Sequence, residues 1–230
     1  MPSEVRPLEV TLYLVRHGQT DWNHGFIYQG RTDTPLSEVG RSQSRALSLR
    51  LSGLFFDLFY SSPLRRALET AEILASSLRS GEPLRSDERL CELNFGRWEG
   101  LSVSQVEELF GEDRRRWFNN PFAWSPTGGE GFSSLMSRVS GFLSEEVMGR
   151  LSPLGGARKV LVVSHGVVIR AFACVLLGIG ASALWSLRLD NASLSVFQVG
   201  SWGASLLLWN DVSHLGDPLV RGDFGLPSGV

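Results

Sequence analysis

Apolar residues along this 230-residue chain fall into two kinds of run. Some are short, unbroken and rich in aliphatic or β-branched residues: LYLV at 12–15, DLFYS at 57–61 and VLVVS at 160–164. Strands buried on both faces of a parallel sheet read this way. Between them lie longer stretches with apolar residues at helical spacing, such as Ala67, Ala71, Leu74 and Leu78. The pattern predicts a strand over 10–16, a polar loop over 19–35 and a helix over about 38–52 with Ser37 as its cap. A second strand at 57–61 leads to a helix opened by Ser62 and Pro63 and running to about residue 79. A short strand at 84–86, a helix over 132–150, a strand at 159–164 and a helix over about 166–178 follow. SLSVFQV (193–199) and ASLLLWN (204–210), separated by a turn with Gly200 and Gly203, predict a hairpin. Residues 101–130 interrupt the alternation with two short helical pieces and the loop NNPFAWSPTGGEG. The tail GDPLVRGDFGLPSGV reads as loosely packed. The expected fold is a three-layer α/β sandwich: a mostly parallel central sheet with an antiparallel edge strand and helices on both faces. A single domain over 1–230 carries a lid-like insertion at about 101–130.

Two of the strands end alike. LYLVRHG (12–18) and VLVVSHG (160–166) each stop at a His followed by Gly. Ligands of open α/β sheets bind beyond the carboxyl ends of the strands, so His17 and His165 can meet at one site. Glycine after each lets the chain turn sharply and lets a ligand approach the backbone. Arg16 stands beside the first His. Two imidazoles and a guanidinium at strand ends suit chemistry on an anion, a phosphate above all.

Bulk properties narrow the choice of partner. The net charge of −2 leaves no electrostatic footprint for nucleic acid or membrane. The expected partner is a small phosphate ester, with a homodimer left open. Cys91 and Cys174 are too few for a disulfide framework and fit a reduced, cytoplasmic setting. The N-terminus MPSEVRPLEV has no apolar signal-peptide core. The stretch most like a membrane span, 160–185, holds His165 and Arg170 and is read as a strand and a buried helix.

Individual residues suggest roles. Neutral imidazole is a good nucleophile, which makes His17 the candidate for a covalent intermediate. Arg16 and Arg66 have donor forks matched to phosphate oxygens, and Arg66 lies in the first turns of a helix after a strand. Glu92, in LCELNFGRWEG (90–100), is a candidate proton donor among Leu, Phe and Trp. The chain has four His, no HExxH and no CxxC, which argues against a catalytic metal. No Walker or dinucleotide fingerprint is present, so no cofactor is expected.

Six segments, in order, resemble the histidine phosphatase superfamily, which includes the cofactor-dependent phosphoglycerate mutases: LVRHGQTDWN (14–23), QGRTDTPLSEVG (29–40), SSPLRRALETA (61–71), ELNFGRWEG (92–100), GGEGF (128–132) and VVSHG (162–166). The resemblance implies a phosphoglycerate mutase-like fold and a set of roles. His17 becomes the phosphohistidine nucleophile; Arg16, Arg66 and His165 hold the phosphoryl oxygens; Asn23, Gly30 and Gly166 add to the phosphate site; Glu92 becomes the acid, then the base. Within the family the mutase lid carries an Arg pair just after a Trp. Here Trp117 is followed by Phe118, Asn119 and Asn120, and Arg31 follows Gly30 where the mutase-like pattern has Trp. The chain is therefore expected to be a phosphatase, with a mutase and a catalytically silent binding module as alternatives. Segments 114–132 and 183–197 are similar to α-ribazole-5′-phosphate phosphatases of cobalamin assembly, and Trp117, Phe118, Phe122 and Trp124 are candidate contacts for an apolar leaving group.

Overall fold

The computed structural model describes residues 7–180 and 183–216. Its strands are β1 (Glu9–Arg16), β2 (Phe55–Phe56), β3 (Leu58–Ser61), β4 (Arg79–Ser80), β5 (Arg85–Ser86), β6 (Ala157–Ser164), β7 (Leu194–Gly200) and β8 (Gly203–Asp211). Its helices are α1 (Asp21–His24), α2 (Glu38–Leu51), α3 (Arg65–Ala75), α4 (Val103–Asn119), α5 (Phe132–Phe142) and α6 (Gly166–Leu177). Six strands form one sheet in the order β5-β3-β6-β1-β7-β8. From β5 to β1 the neighbours are parallel; β7 is antiparallel to β1, and β8 to β7. The expected antiparallel edge is thus a hairpin. β2 and β4 pair separately.

Alternation along the central strands builds the layers. Leu12, Leu14, Val160 and Val162 point to one face, where they pack with Phe142 of α5 and Phe172 of α6. Leu161 and Val163 point to the other, against Leu47 of α2 and Ala67, Ala71 and Leu74 of α3. A strand apolar on both faces has to be covered on both, which gives the three layers. The stretch 160–185 begins as β6 and the buried helix α6; among the described residues no helix is long and apolar enough to cross a membrane.

Several boundaries differ from the sequence reading. Ser62 and Pro63 do not open α3, which starts at Arg65 after an extended Leu64 and ends at Ala75. The Ser62 hydroxyl faces His165 and accepts from the Leu64 N–H, so it holds a turn ahead of the helix. Residue 79 belongs to β4, paired with β2. The two helical pieces expected within 101–130 join as α4 across a kink at Phe110 (φ −137°, ψ 24°). The helix expected over 132–150 is α5 followed by a π-helical stretch, Leu143–Gly149. The C-terminal tail beyond Gly216 lies outside the described residues.

Candidate active site

β1 and β6 pair in parallel with Arg16 opposite Ser164, so the next residues, His17 and His165, emerge side by side. His17 N–H donates to the Ser164 carbonyl (3.0 Å). The two rings lie 5.1 Å apart, centroid to centroid, and both are buried. His17 Nδ1 is 2.7 Å from the Gly18 carbonyl. A carbonyl can only accept, so Nδ1 carries the proton and Nε2 keeps its lone pair. Burial, with Arg66 and Arg16 beside it, holds the His17 imidazole well below its ordinary value of 6.5. Burial and Arg66 do the same to His165. Both rings are therefore neutral near pH 7, the form a nucleophile needs.

Arg66 is 1% exposed. Its Nη1 donates to the Thr32 carbonyl (2.9 Å) and its Nη2 to the Gly30 carbonyl (2.7 Å), while Nε is buried with no hydrogen-bond partner among the described residues. Burial lowers its pKa to about 10. Arg65, its neighbour, is exposed and pairs with Glu69 at 2.7 Å. The loop that holds Arg66 is itself held by Glu99, whose oxygens accept from the N–H groups of Arg31, Thr32 and Phe95 and from the Thr32 hydroxyl. Gly30 has φ +55°, and a Cβ there would stand 2.0 Å from Glu99 Oε1, so only glycine fits. The observed contact of Gly30 is thus with Arg66. One turn along α3, Thr70 accepts from the Gly18 N–H (3.1 Å) and fastens the loop after His17 to the helix bearing Arg66.

Asn23 Oδ1 accepts from the Thr20 N–H (3.1 Å), the Thr20 hydroxyl (3.1 Å) and Asn191 Nδ2 (3.2 Å). With its oxygen so engaged, Asn23 keeps its Nδ2 hydrogens as donors. Asn191 also bonds the His17 carbonyl (3.2 Å), tying the segment before β7 to the nucleophile loop. Glu92 is buried; Oε1 accepts from the Leu93 N–H (2.8 Å) and Oε2 from the Val167 N–H (3.2 Å), at the start of α6. The contact places Glu92 at the start of α6, beside His165 and Gly166. Arg16 Nη1 donates to the Leu189 carbonyl (2.6 Å). Arg170, four residues after Gly166, is buried with Nε on the Leu187 carbonyl (2.8 Å). A Cβ added to Gly166 would meet Arg170 Nη1 at 3.3 Å and Arg16 Nε at 3.6 Å. Burial, with Arg16 close by, lowers the Arg170 pKa to about 10. Arg16, Arg66 and Arg170 thus lie close to one another and to the two histidines, with the buried Glu92 beside them. Buried cations are costly unless an anion joins them, and a phosphate dianion meets that need. Among the described residues no three His, Cys, Asp or Glu side chains are grouped to hold a metal ion.

Sequence reasoning placed His17, His165, Arg16, Arg66 and Glu92 in the site and missed its supports: Ser62, Thr70, Glu99, Arg170 and Asn191. For Arg170 a signal existed, since i and i+4 share a helix face and Gly166 was already a site residue. The aromatic residues of the segment 101–130 divide between core and surface. Trp117 is wholly buried and packs against Phe132 and Trp185, with ring centroids 6.5 and 5.8 Å away. It is a core residue and cannot contact substrate. Phe118 is half-buried on Trp185 (4.7 Å), whereas Phe122 and Trp124 are exposed, Trp124 lying beneath Arg116 (4.5 Å). Trp117→Ala is accordingly expected to cost about 3–5 kcal/mol of stability and to weaken activity on every ester together. Trp124→Ala should leave the melting temperature nearly unchanged and raise KM only for a bulky ester. Melting curves with kinetics on one bulky and one small ester separate the two.

The profile of the histidine phosphatase superfamily, branch 1, matches residues 12–212. This chain belongs to that superfamily. Phosphoserine phosphatase 1 of Hydrogenobacter thermophilus is 41% identical over 92% of this chain and 97% of its own length. The adenosylcobalamin/alpha-ribazole phosphatase of Escherichia coli is 33% identical over 86% and 95%. Among solved structures, Bacillus stearothermophilus YhfR superposes with a TM-score of 0.79 at 32% identity, covering 90% of this chain and 99% of that one. 2,3-Bisphosphoglycerate-dependent phosphoglycerate mutases are among the relatives of this histidine phosphatase too. The named phosphatases align over most of the chain, and the chain is a phosphatase of the superfamily.

Proposed function

We propose that the protein hydrolyses small phosphate monoesters through a phosphohistidine at His17, without metal or cofactor. The observation that carries this reading is the neutral His17 ring, with Nδ1 tied to Gly18 and Nε2 open, beside His165 and the buried Arg66. His17 Nε2 forms a bond to phosphorus as the ester P–O bond breaks. Arg16, Arg66, His165, Asn23 and the N–H of Gly166 at the start of α6 hold the phosphoryl oxygens, and Gly30 keeps Arg66 in place. Glu92 gives its proton to the leaving oxygen, then takes one from the water that attacks the phosphohistidine, releasing phosphate and free His17. The segment 101–130 serves as a lid that selects the leaving group, since loops above a rigid sheet set specificity. Buried, unbridged Cys91 and Cys174 support a cytoplasmic setting.

Two substrate candidates come from the relatives: α-ribazole 5′-phosphate, which would place the enzyme in cobalamin biosynthesis, and phosphoserine. Measuring kcat/KM over these two, 3-phosphoglycerate and p-nitrophenyl phosphate decides between them. Release of phosphate from none of them removes the hydrolase reading. Formation of 2-phosphoglycerate from 3-phosphoglycerate, dependent on a bisphosphate primer, replaces it with the mutase. Glu92→Gln keeps the shape and removes the proton. It should slow alkyl phosphates by about 10²–10⁴-fold and p-nitrophenyl phosphate far less, because nitrophenolate leaves unaided. An equal loss on both would show that Glu92 orients water or the arginines instead.

A further inference from the structure

Ser62, in the turn between β3 and α3, touches the site through one atom. Its Oγ lies 2.8 Å from His165 Nε2 and accepts from the Leu64 N–H at 3.2 Å. A hydroxyl has one hydrogen and two lone pairs, and Leu64 takes one of the pairs. Two arrangements remain. Ser62 can donate to Nε2, so that the His165 proton sits on Nδ1. Alternatively Nε2–H donates to Ser62, whose hydrogen then turns to Cys91 Sγ, 3.7 Å away. Sulfur is a weak acceptor. The Cys91 thiol, pushed up to about 11 by burial, stays protonated, with Glu88 Oε2 at 3.3 Å as its own acceptor.

The phosphoryl group decides between them. His165 Nδ1 is buried and has no partner among the described residues. It is the ring nitrogen left for a ligand, in a ring packed against that of His17. A neutral imidazole has a single N–H. With the proton on Nδ1 it donates to a phosphoryl oxygen, a charge-assisted bond roughly twice as strong as a neutral one. With the proton on Nε2 it turns a lone pair toward the oxyanion. We propose that Ser62 is a positioning residue: by donating to Nε2 it fixes the tautomer in which neutral His165 donates from Nδ1 to the transferring phosphoryl group. Ser62 never touches substrate; it acts through His165.

The inference rests on the phosphatase reading but can be read out separately. Protein labelled with ¹⁵N-histidine has four His signals to resolve, and a His165→Gln sample assigns the one of interest. Two-bond ¹H–¹⁵N correlations in saturating inorganic phosphate should show His165 protonated at Nδ1 alone. Protonation at Nε2 alone, or at both nitrogens, overturns the proposal. In kinetics on p-nitrophenyl phosphate, Ser62→Ala should lower kcat about tenfold to a hundredfold with KM within a few-fold. Ser62→Thr, which keeps the hydroxyl, should restore most of the loss. Wild-type kcat in a folded Ser62→Ala protein also overturns it. If Ser62→Ala does not fold, the spectrum of the wild-type protein still gives the answer. Wild-type protein that binds phosphate yet hydrolyses no ester would count against the phosphatase reading alone.

Discussion

Replacing His17 with alanine should lower kcat on p-nitrophenyl phosphate by on the order of 10⁴–10⁶, the scale seen when a covalent nucleophile is removed. The remaining groups would still bind the ester, so KM should change far less. Two groups beside His17 are already engaged. His165 has its Nε2 on Ser62, at 2.8 Å. A Thr70 substitute would be no nucleophile either, since its hydroxyl is spent on Gly18 and on the Arg66 carbonyl. Rapid-quench labelling with a ³²P-ester checks the covalent step directly. Wild-type protein should trap an acid-labile, base-stable phosphoprotein, and His17→Ala should trap none. An alanine variant that retained the label would move the nucleophile elsewhere.

Arg66→Met should cost about 10³ in kcat/KM on every ester, large or small, because it removes a preorganised donor aimed at developing charge. The reasoning starts from burial. The guanidinium is 1% exposed, its Nη atoms are held by the Thr32 and Gly30 carbonyls, and its pKa is lowered to about 10. It is a cation kept dry for a ligand. Methionine fills much of the same space without charge but leaves the Thr32 and Gly30 carbonyls without their donor, so the unliganded protein should lose about 1–3 kcal/mol of stability. What disappears is the gain on binding. Phosphate at about a hundred times its Kd adds about 2.7 kcal/mol to a protein that binds it only when folded. Melting curves with and without phosphate should show a clear rise for the parent and little for Arg66→Met. Arg66→Lys should not rescue, because an ammonium cannot reproduce the fork. Unchanged phosphate stabilisation in Arg66→Met would remove Arg66 from the phosphate site.

Much of this architecture could be read from the chain, and the misses share a cause. Strand runs ending in His-Gly were legible because a strand buried on both faces has few sequence options, and the residue after it faces the ligand edge. Helix α2 was legible because Ser37 bonds the Gly40 N–H, a local contact. The start of α3 was not, because Ser62 answers to His165, 103 positions away, instead of to its own helix. Glu99 and Asn191 were overlooked for the same reason: their roles lie in contacts with loops distant in sequence. Trp117 was a candidate contact because it belongs to an aromatic-rich segment that interrupts the strand–helix alternation. In the fold it points inward to Phe132 and Trp185, which the pattern of residues 114–132 alone does not reveal.

The pairing of Arg16 with Ser164 has a consequence for folding. Each histidine sits at the end of a strand, and those strands lie some 150 residues apart in the chain. The two rings meet only after the centre of the sheet has closed a long loop, an intrinsically slow step. Until then Arg66 and Thr70, on α3, have no histidine pair beside them. Bringing the two histidines together thus depends on the most non-local pairing of the core, and a chain in which β1 and β6 have not paired should hydrolyse no ester.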